Sequence, residues 1–333
     1  MMSCGGIIMD GMRVRRAGFA WLPLAQLLFV FTLLVFGAWQ LLAVDPLATS
    51  KRLSIHSHPM YPYRLRPKPY EFPNGGRTLL PAYRLVALYG VPDDPSLGAL
   101  GQQPLNATLE RAKTLAATYQ PLMSEHALPT LEIIATLASA YPESDGSYSR
   151  AVDEAKLTAW VAAARQAGIY VVLDLQPGRS SFLLQAQQHE RLLKQPNVGL
   201  ALDPEWRLAA DQVPLRQIGS VGIDEVNQTS KWLADLTSQH QLPQKLFLLH
   251  QFRLSMLPGR AQLDTSRSEL AYIVQMDGQG TQAEKLTTWG AVTTDPAPVT
   301  YFGWKNFYAQ DATLRSPEET MQLTPKPWYV SYQ

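Results

Sequence analysis

The 333-residue chain has one cysteine and few charged residues, and both shortages exclude kinds of protein. A single cysteine, Cys4, cannot form an intrachain disulfide. Charged residues make up 17% of the chain and nearly cancel, leaving a formal net charge of +1. A chain so close to neutral offers no basic surface of the kind that binds nucleic acid. We therefore expect neither a disulfide-stabilised domain nor a nucleic-acid partner.

Motifs that hold nucleotides or metal ions are also missing. No Gly-x-Gly-x-x-Gly follows the first predicted strand, and no Gly-Lys-Ser/Thr phosphate loop occurs. There is no His-Glu-x-x-His, and the His-x-His formed by His56 and His58 lies in a proline-rich stretch beside Pro59. We expect no cofactor and no resident metal ion.

The one long hydrophobic run lies near the N-terminus. Residues 17–44 contain no charge, and the run exceeds the ~20 residues that cross a bilayer core. Arg13, Arg15 and Arg16 precede it, which favours a cytoplasmic segment at 1–16 and a translocated remainder. The alternative is a cleaved signal peptide, but its apolar region would be only about 7–15 residues long. We expect one uncleaved transmembrane helix at 17–44, with the membrane as a partner.

The remaining chain divides into a linker and one large domain. Residues 45–83 are rich in proline and basic residues, which predicts an extended stalk that is either solvated or in contact with anionic headgroups or wall polymers. Residues 84–333 alternate short apolar runs with amphipathic ones, as repeated βα units do. The length fits a TIM-like (β/α)8 barrel with one strand unrecognised. The predicted strands span residues 84–89, 130–137, 169–173, 198–202, 245–249, 271–276 and 299–304.

Polar residues follow five consecutive predicted strands, where barrel enzymes carry their chemistry. An Asp after a strand can also cap a helix, and Asp277-Gly278 can form a simple turn. Gln, Glu, Trp and His are poor caps, so we expect a ligand site at this rim. The candidate residues are Asp174, Gln176, Arg179, Asp203, Glu205, Trp206, Arg207, His250, Gln251, Asp277, Trp304 and Lys305.

The carboxylates of this set are the candidate catalytic residues. If the strand continues through Asp203 and Glu205, both face one side, about 6.5–7 Å apart. Asp174 ends the neighbouring strand, so repulsion and burial should raise the pKa of Glu205, as a general acid requires. Asp203 and Asp174 would position the substrate or stabilise positive charge. Arg179 and Arg207 oppose this, because a guanidinium nearby holds a carboxylate ionised.

The Asp-x-Glu that closes the apolar strand at 198–205 resembles the motif of barrel glycosidases of the chitinase and lysozyme-25 types. That resemblance implies that Glu205 is the acid and that Asp203 assists it. The chain departs from the fuller Asp-x-x-Asp-x-Asp-x-Glu pattern, since Gly199, Leu200 and Ala201 precede Asp203. The run 128–257 resembles uncharacterised exported or cell-wall proteins of actinobacterial type, which implies an envelope location and supplies no activity.

Three functions follow as hypotheses. The first is a membrane-tethered hydrolase of envelope or extracellular glycans, in which the polar rim residues bind hydroxyl or acetamido groups. The second is a barrel that binds a glycan or another partner without cleaving it. The third and weaker hypothesis is a metal-dependent hydrolase that uses Asp174, Asp203, His250 and Asp277.

The predicted anchor can be tested by its orientation. We expect protease added to intact cells to digest the domain at 84–333 and to spare a tag at the N-terminus, because the basic flank stays inside. Lysed cells, in which protease reaches both sides, are the control. A domain that stays protected in intact cells would contradict the orientation.

Overall fold

The computed structural model describes residues 69–333, and eight parallel strands there close into a barrel, which confirms the predicted (β/α)8 architecture. Around the barrel the strands run in the order β1, β9, β8, β7, β6, β5, β4 and β2, and β1 pairs with β2 to close it. A short ninth strand, β3, adds to β2 in the antiparallel direction. The strands are β1 Tyr83–Gly90, β2 His126–Ala138, β3 Ser149–Ala151, β4 Tyr170–Leu175, β5 Val198–Leu202, β6 Lys245–His250, β7 Leu270–Met276, β8 Phe302–Asn306 and β9 Tyr329–Tyr332.

The strand missing from the sequence-based prediction is β9. It is four residues long, Tyr-Val-Ser-Tyr, and it pairs with both β1 and β8. So short a run, with Ser331 inside it, lacks the continuous apolar pattern by which the other buried strands are recognised.

Helices cover the outside of the barrel, and local sequence fixes several of their ends. Asp153 caps one helix by accepting from the Lys156 backbone N–H, and the chain leaves that helix through Gly168, whose φ is +72°. Thr281 and Glu284 form a capping box on another. The α-helices of residues 69–333 are α1 Leu105–Tyr119, α2 Glu154–Gln166, α3 Phe182–Gln188, α4 Glu190–Leu193, α5 Ile223–Gln239, α6 Gln282–Thr294 and α7 Pro317–Met321.

Alternation along each strand divides the apolar side chains into two cores. In β4 Val171, Leu173 and Leu175 face the helices, whereas Tyr170 and Val172 face the barrel interior. The interior core fills the end of the barrel that contains the N-termini of the strands. The next inward position in β4 is Asp174, so the same period-2 pattern places polar groups towards the strands' carboxyl ends.

Residues 70–82, which the sequence assigns to the stalk, are packed against the barrel, so the predicted boundary at residue 84 is wrong. Phe72 and Leu79 are buried, and Phe72 lies edge-on to Tyr83 with the ring centroids 5.4 Å apart. Gln244 Oε1 accepts from the backbone N–H groups of Leu79 and Leu80. The segment covers the interior core, and its prolines conceal this in the sequence. The rest of the predicted stalk lies outside the described residues.

The predicted segments at 1–16 and 17–44 also lie outside the described residues. Between residues 69 and 333, no helix is both long enough and apolar enough to cross a bilayer.

The outer core can be tested with one pair of leucine substitutions. Leu173 is fully buried between β4 and the helices, whereas Leu184 on α3 is 50% exposed. We expect Leu173→Ala to lower the free energy of unfolding by about 2–5 kcal/mol, because it leaves a cavity. Leu184→Ala is the matched control and should change it by less than about 0.5 kcal/mol. Urea denaturation followed by tryptophan fluorescence measures both; equal effects would contradict the assignment.

Candidate functional site

A layer of polar side chains crosses the barrel interior at the carboxyl ends of the strands. It lies directly above the interior apolar core, because inward positions alternate along each strand. Every one of these groups is buried, so each must be paired or change its charge. The layer consists of Tyr89, Glu132, Asp174, Asp203, His250, Gln275, Asp277, Lys305, Tyr329 and Ser331.

His250 is at the centre of this layer and contacts two carboxylates. Its Nε2 lies 2.7 Å from Glu132 Oε1, and its Nδ1 lies 2.9 Å from Asp277 Oδ2. The Tyr329 hydroxyl donates to the other oxygen of Glu132 at 2.9 Å. Burial alone would lower the pKa of His250, but Glu132 and Asp277 together raise it well above its ordinary value. A doubly protonated imidazolium would donate to both carboxylates, and this is the form of His250 that the raised pKa favours.

Asp174 lies beside this cluster with one oxygen unpaired. The Tyr89 hydroxyl donates to its Oδ2 at 3.0 Å, while its Oδ1 has no partner in the described part of the chain. Burial raises the pKa of Asp174 to about 6, against the opposing charge of His250. The Lys305 ammonium lies 3.5 Å from the centre of the Tyr89 ring, a cation–π contact that holds it beside the carboxylates.

Asp203 and Glu205 do not continue a strand, so the predicted extended geometry is wrong. β5 ends at Leu202, and Pro204–Trp206 forms a single 3₁₀ turn. Proline fixes φ at the start of this turn and favours it over a strand. The turn brings both carboxylates to the wall of one cavity all the same.

The electrostatics of the two carboxylates follow the sequence-based expectation. Burial raises the pKa of half-buried Glu205 to about 7, and Asp277 adds to the rise. Burial also raises the pKa of Asp203 well above its ordinary value, with Glu205 and Asp174 contributing. Asp203 Oδ1 is buried with no hydrogen-bond partner among residues 69–333.

Arg207 and Arg179, which were expected to oppose the rise in the pKa of Glu205, form contacts with other residues. Arg207 pairs with Glu225 at 3.1 Å, and the Nε of Arg179 donates to the Gln212 carbonyl. Neither lines the cavity. The structure therefore does not bring these two predicted substrate-binding residues to the cavity. For Arg207 the reason is the 3₁₀ turn, which carries the chain away from the strand direction.

The cavity above the polar layer has a volume of about 750 Å³ and is lined by residues from most of the strand ends. This size fits a small-molecule or oligosaccharide ligand. Four aromatic rings, those of Tyr89, Trp206, Phe252 and Phe307, line it together with the amides of Gln279 and Gln310. The predicted site residues that reach its wall are Gln176, Asp203, Glu205, Trp206, Asp277 and Lys305.

Asp174 and His250 lie in the same layer but do not line the cavity. Gln251 and Trp304, which were predicted to bind the ligand, do not line the cavity. Gln251 Oε1 accepts from buried Arg260, and Trp304 packs against Trp289 in the outer core with ring centroids 5.7 Å apart. Trp304 alternates outward in β8, one position before the inward-facing Lys305.

Sequence reasoning missed five residues of the layer: Tyr89, Glu132, Gln275, Tyr329 and Ser331. A signal for Glu132 was present, since it is the one charge inside the apolar run at 130–137. The strand-end rule considers only the residues at the end of each strand, so it did not select Glu132. Its partner Tyr329 was out of reach, because its strand was not recognised.

Asp203, His250 and Asp277 present potential ligand atoms within 4.8 Å of one another. Both ring nitrogens of His250 already face carboxylate oxygens, however. An ion there would need a neutral imidazole and the loss of one of these bonds. The donor set therefore fits a hydrogen-bonded cluster better than a metal site.

Comparisons with known proteins give no family. No protein-family model matches the chain, and no curated protein matches it. Among solved structures, tryptophan synthase from M. tuberculosis is similar over 75% of this chain and 82% of its own, with 16% identity and a TM-score of 0.36. A score so low supports no inference about function.

The charge on His250 can be tested by removing one of its partners. We expect Glu132→Gln to lower the pKa of His250, because a neutral amide no longer stabilises the imidazolium. Nitrogen-15 NMR of the imidazole, assigned by its loss in His250→Gln, measures this. The control is Glu125→Gln, which removes a carboxylate that pairs with Arg84.

The same group gives a pH dependence of stability. Because the pKa of His250 is raised on folding, its stabilising contribution is complete below the ordinary value of 6.5 and is lost as pH rises through the folded value. Glu132→Gln should weaken that contribution, whereas Glu125→Gln should not. An imidazole that is singly protonated at pH 7 in the unaltered protein would contradict the assignment.

Proposed function

We propose that the barrel is a glycoside-hydrolase-like enzyme that acts on envelope or extracellular glycans, with Glu205 as the general acid. The observation that carries this proposal is the pKa of Glu205, raised to about 7 on the wall of the cavity at the strands' carboxyl ends. Cleavage of a glycosidic bond needs a carboxyl group that is protonated near neutral pH beside others that carry negative charge.

Glu205 supplies the proton to the oxygen of the bond that breaks, while a water molecule or a group of the substrate itself attacks the anomeric carbon and forms the new bond. The carboxyl group of Glu205 lines the cavity and makes no hydrogen bond to another described residue, so its proton is free for the oxygen of the bond being cleaved. Pro204 fixes the turn that carries it, and Trp206 lines the same cavity. These features support donation to a bound substrate.

Positive charge that develops on the sugar ring would be stabilised by Asp277. Its carboxylate reaches the cavity wall, where Oδ2 contacts His250 and Oδ1 has no hydrogen-bond partner among residues 69–333. Asp203 lines the same wall, but burial raises its pKa well above the ordinary value, so it carries negative charge less readily. The carboxylate of Asp277 is fixed before the substrate binds, and preorganised charge of this kind lowers the barrier to reaction.

The cavity wall suits a polyol. The amides of Gln279, Gln310 and Gln333 line it and have no side-chain hydrogen bond to another described residue. Amides both donate and accept, as sugar hydroxyl groups require. Trp206 and Phe307 add flat apolar surfaces for the faces of sugar rings.

The location of the substrate depends on the N-terminal segment. The uncharged run at 17–44 after three arginines supports a single-pass membrane anchor with the barrel outside the cytoplasm. A tethered barrel would act on glycans within reach of that membrane. The non-catalytic alternative, a glycan- or partner-binding barrel, is favoured by one observation, the departure from the chitinase-type pattern at Gly199 to Ala201.

The proposal can be tested with Glu205→Gln in a hydrolysis screen of envelope and extracellular glycans. We expect the substitution to lower kcat by about 10²–10⁴-fold, because general acid catalysis contributes that much. Glycan binding, measured by quenching of tryptophan fluorescence, should persist. In the unaltered enzyme kcat/KM should fall above pH 7, since an acid with a pKa of about 7 loses its proton there.

The matched control is Glu110→Gln, which alters an exposed carboxylate on α1 and should leave both readouts unchanged. Binding without turnover in the unaltered protein would favour the non-catalytic barrel. Full activity of Glu205→Gln would overturn the role of Glu205.

A further inference from the structure

A second cavity adjoins the first across Glu205. It has a volume of about 670 Å³ and shares Glu205, Trp206, Leu215 and Arg253 with the first. A ligand that extends from one cavity into the other therefore passes the carboxyl group of Glu205. In a hydrolase this arrangement holds one sugar unit on each side of the bond that is cleaved.

The second cavity differs from the first in charge. Arg216 and Arg253 both line it, and among residues 69–333 Glu205 is the one acidic residue on its wall. Neither guanidinium forms an ion pair or hydrogen bond with another residue between 69 and 333, whereas Arg207 and Arg260 nearby pair with carboxylates. Two unpaired guanidinium groups thus face one cavity.

The rim of this cavity is also unusual. Leu215 is 77% exposed and has a φ of +66°, a left-handed conformation that is rare for a leucine. Strain of this kind persists where the surrounding structure fixes it, commonly at ligand sites. Ile218, 38% exposed, adds apolar surface beside it, against which the carbon face of a sugar ring can pack.

We propose that the second cavity, here called the arginine cavity, binds a sugar unit that carries a carboxylate, next to the glycosidic bond that Glu205 protonates. This inference rests on the proposed hydrolase function and names its substrate class: an acidic glycan. The planar guanidinium matches a carboxylate through two parallel hydrogen bonds. A dianionic phosphate fits less well, because Asp277 in the adjoining cavity would repel its second charge.

Binding to the full chain carrying Glu205→Gln tests the proposal, since this variant holds substrates without turnover. The probes are tetrasaccharides of hyaluronan, alginate and polygalacturonate, each beside its carboxyl-reduced neutral counterpart. We expect at least one acidic probe to bind about tenfold or more tightly than its reduced form, as a charge-assisted pair contributes. Raising the salt concentration should reduce the difference.

Substitution of the two arginines then shows whether they cause the tighter binding of the acidic probe. Arg216→Gln and Arg253→Gln should each weaken binding of the acidic probe, and together they should lower its affinity to that of the reduced probe. Both side chains are exposed, so the fold should survive, which circular dichroism checks. The control is Arg150→Gln, an exposed arginine on β3 that lines neither cavity and should have no effect.

The outcomes separate the two proposals. Equal affinity for acidic and reduced probes, no binding of any acidic probe, or no effect of Arg216→Gln and Arg253→Gln would overturn the arginine cavity. Binding of an acidic probe that the unaltered protein never cleaves would leave the cavity intact and overturn the hydrolase. If the unaltered protein cleaves neutral glycans and both arginine variants cleave them at the same rate, the proposal for the arginine cavity is overturned and the hydrolase proposal stands.

Discussion

The arrangement of the site depends on one buried imidazolium. His250 has a carboxylate on each ring nitrogen, and all three groups are withdrawn from water. An isolated carboxylate at this depth would be strongly destabilising, and a charged partner with good geometry offsets that cost. Because Glu132 comes from β2, His250 from β6 and Asp277 from the end of β7, the contact also joins opposite sides of the barrel. The position of the catalytic candidates above it follows from this contact.

The apolar interior below the polar layer sets the electrostatics above it. Tyr170, Val172 and Leu248 fill the barrel beneath the carboxylates, and the segment that contains Phe72 covers its other end. Water is therefore excluded from below, and charged groups are solvated only through the cavity. Desolvation raises the pKa of a carboxyl group, and it is the largest cause of the shifts at Asp174, Asp203 and Glu205. The barrel thus produces acid groups near neutral pH from ordinary side chains.

The sequence predicted the barrel and six of the residues on the cavity wall, and its failures have physical reasons. Periodicity identifies buried strands well, and the strand-end rule found Asp203 and Asp277 because both follow long apolar runs. The rule failed for Trp304, since a strand end gives the position of a residue and not the side of the sheet that it faces. It failed for Arg207 because Pro204 starts a turn whose direction only tertiary contacts determine. A period-2 pattern applied to its strand would have placed Glu132 on the inward face.

The count of charges explains which groups take up protons. Five carboxyl groups belong to the layer or its wall, against two cations, His250 and Lys305. Full ionisation would leave an excess of three negative charges in a space poor in water, which is electrostatically unfavourable. Three carboxyl groups have raised pKa values, and these are the ones without a bond to His250: Asp174, Asp203 and Glu205.

Proton uptake is therefore a property of the layer as a whole. Glu205 takes part in it because its charge interacts with the charges of the groups below. Of the two groups with unpaired carboxyls on the cavity wall, Asp203 is fully buried and Glu205 is half-buried, so Glu205 exchanges its proton with solvent more readily. A bound substrate that covers the cavity would remove the remaining water and strengthen every interaction of the layer. Positive charge that develops on a substrate would then replace the proton that Glu205 has given up. The net charge of the site would stay constant through that step.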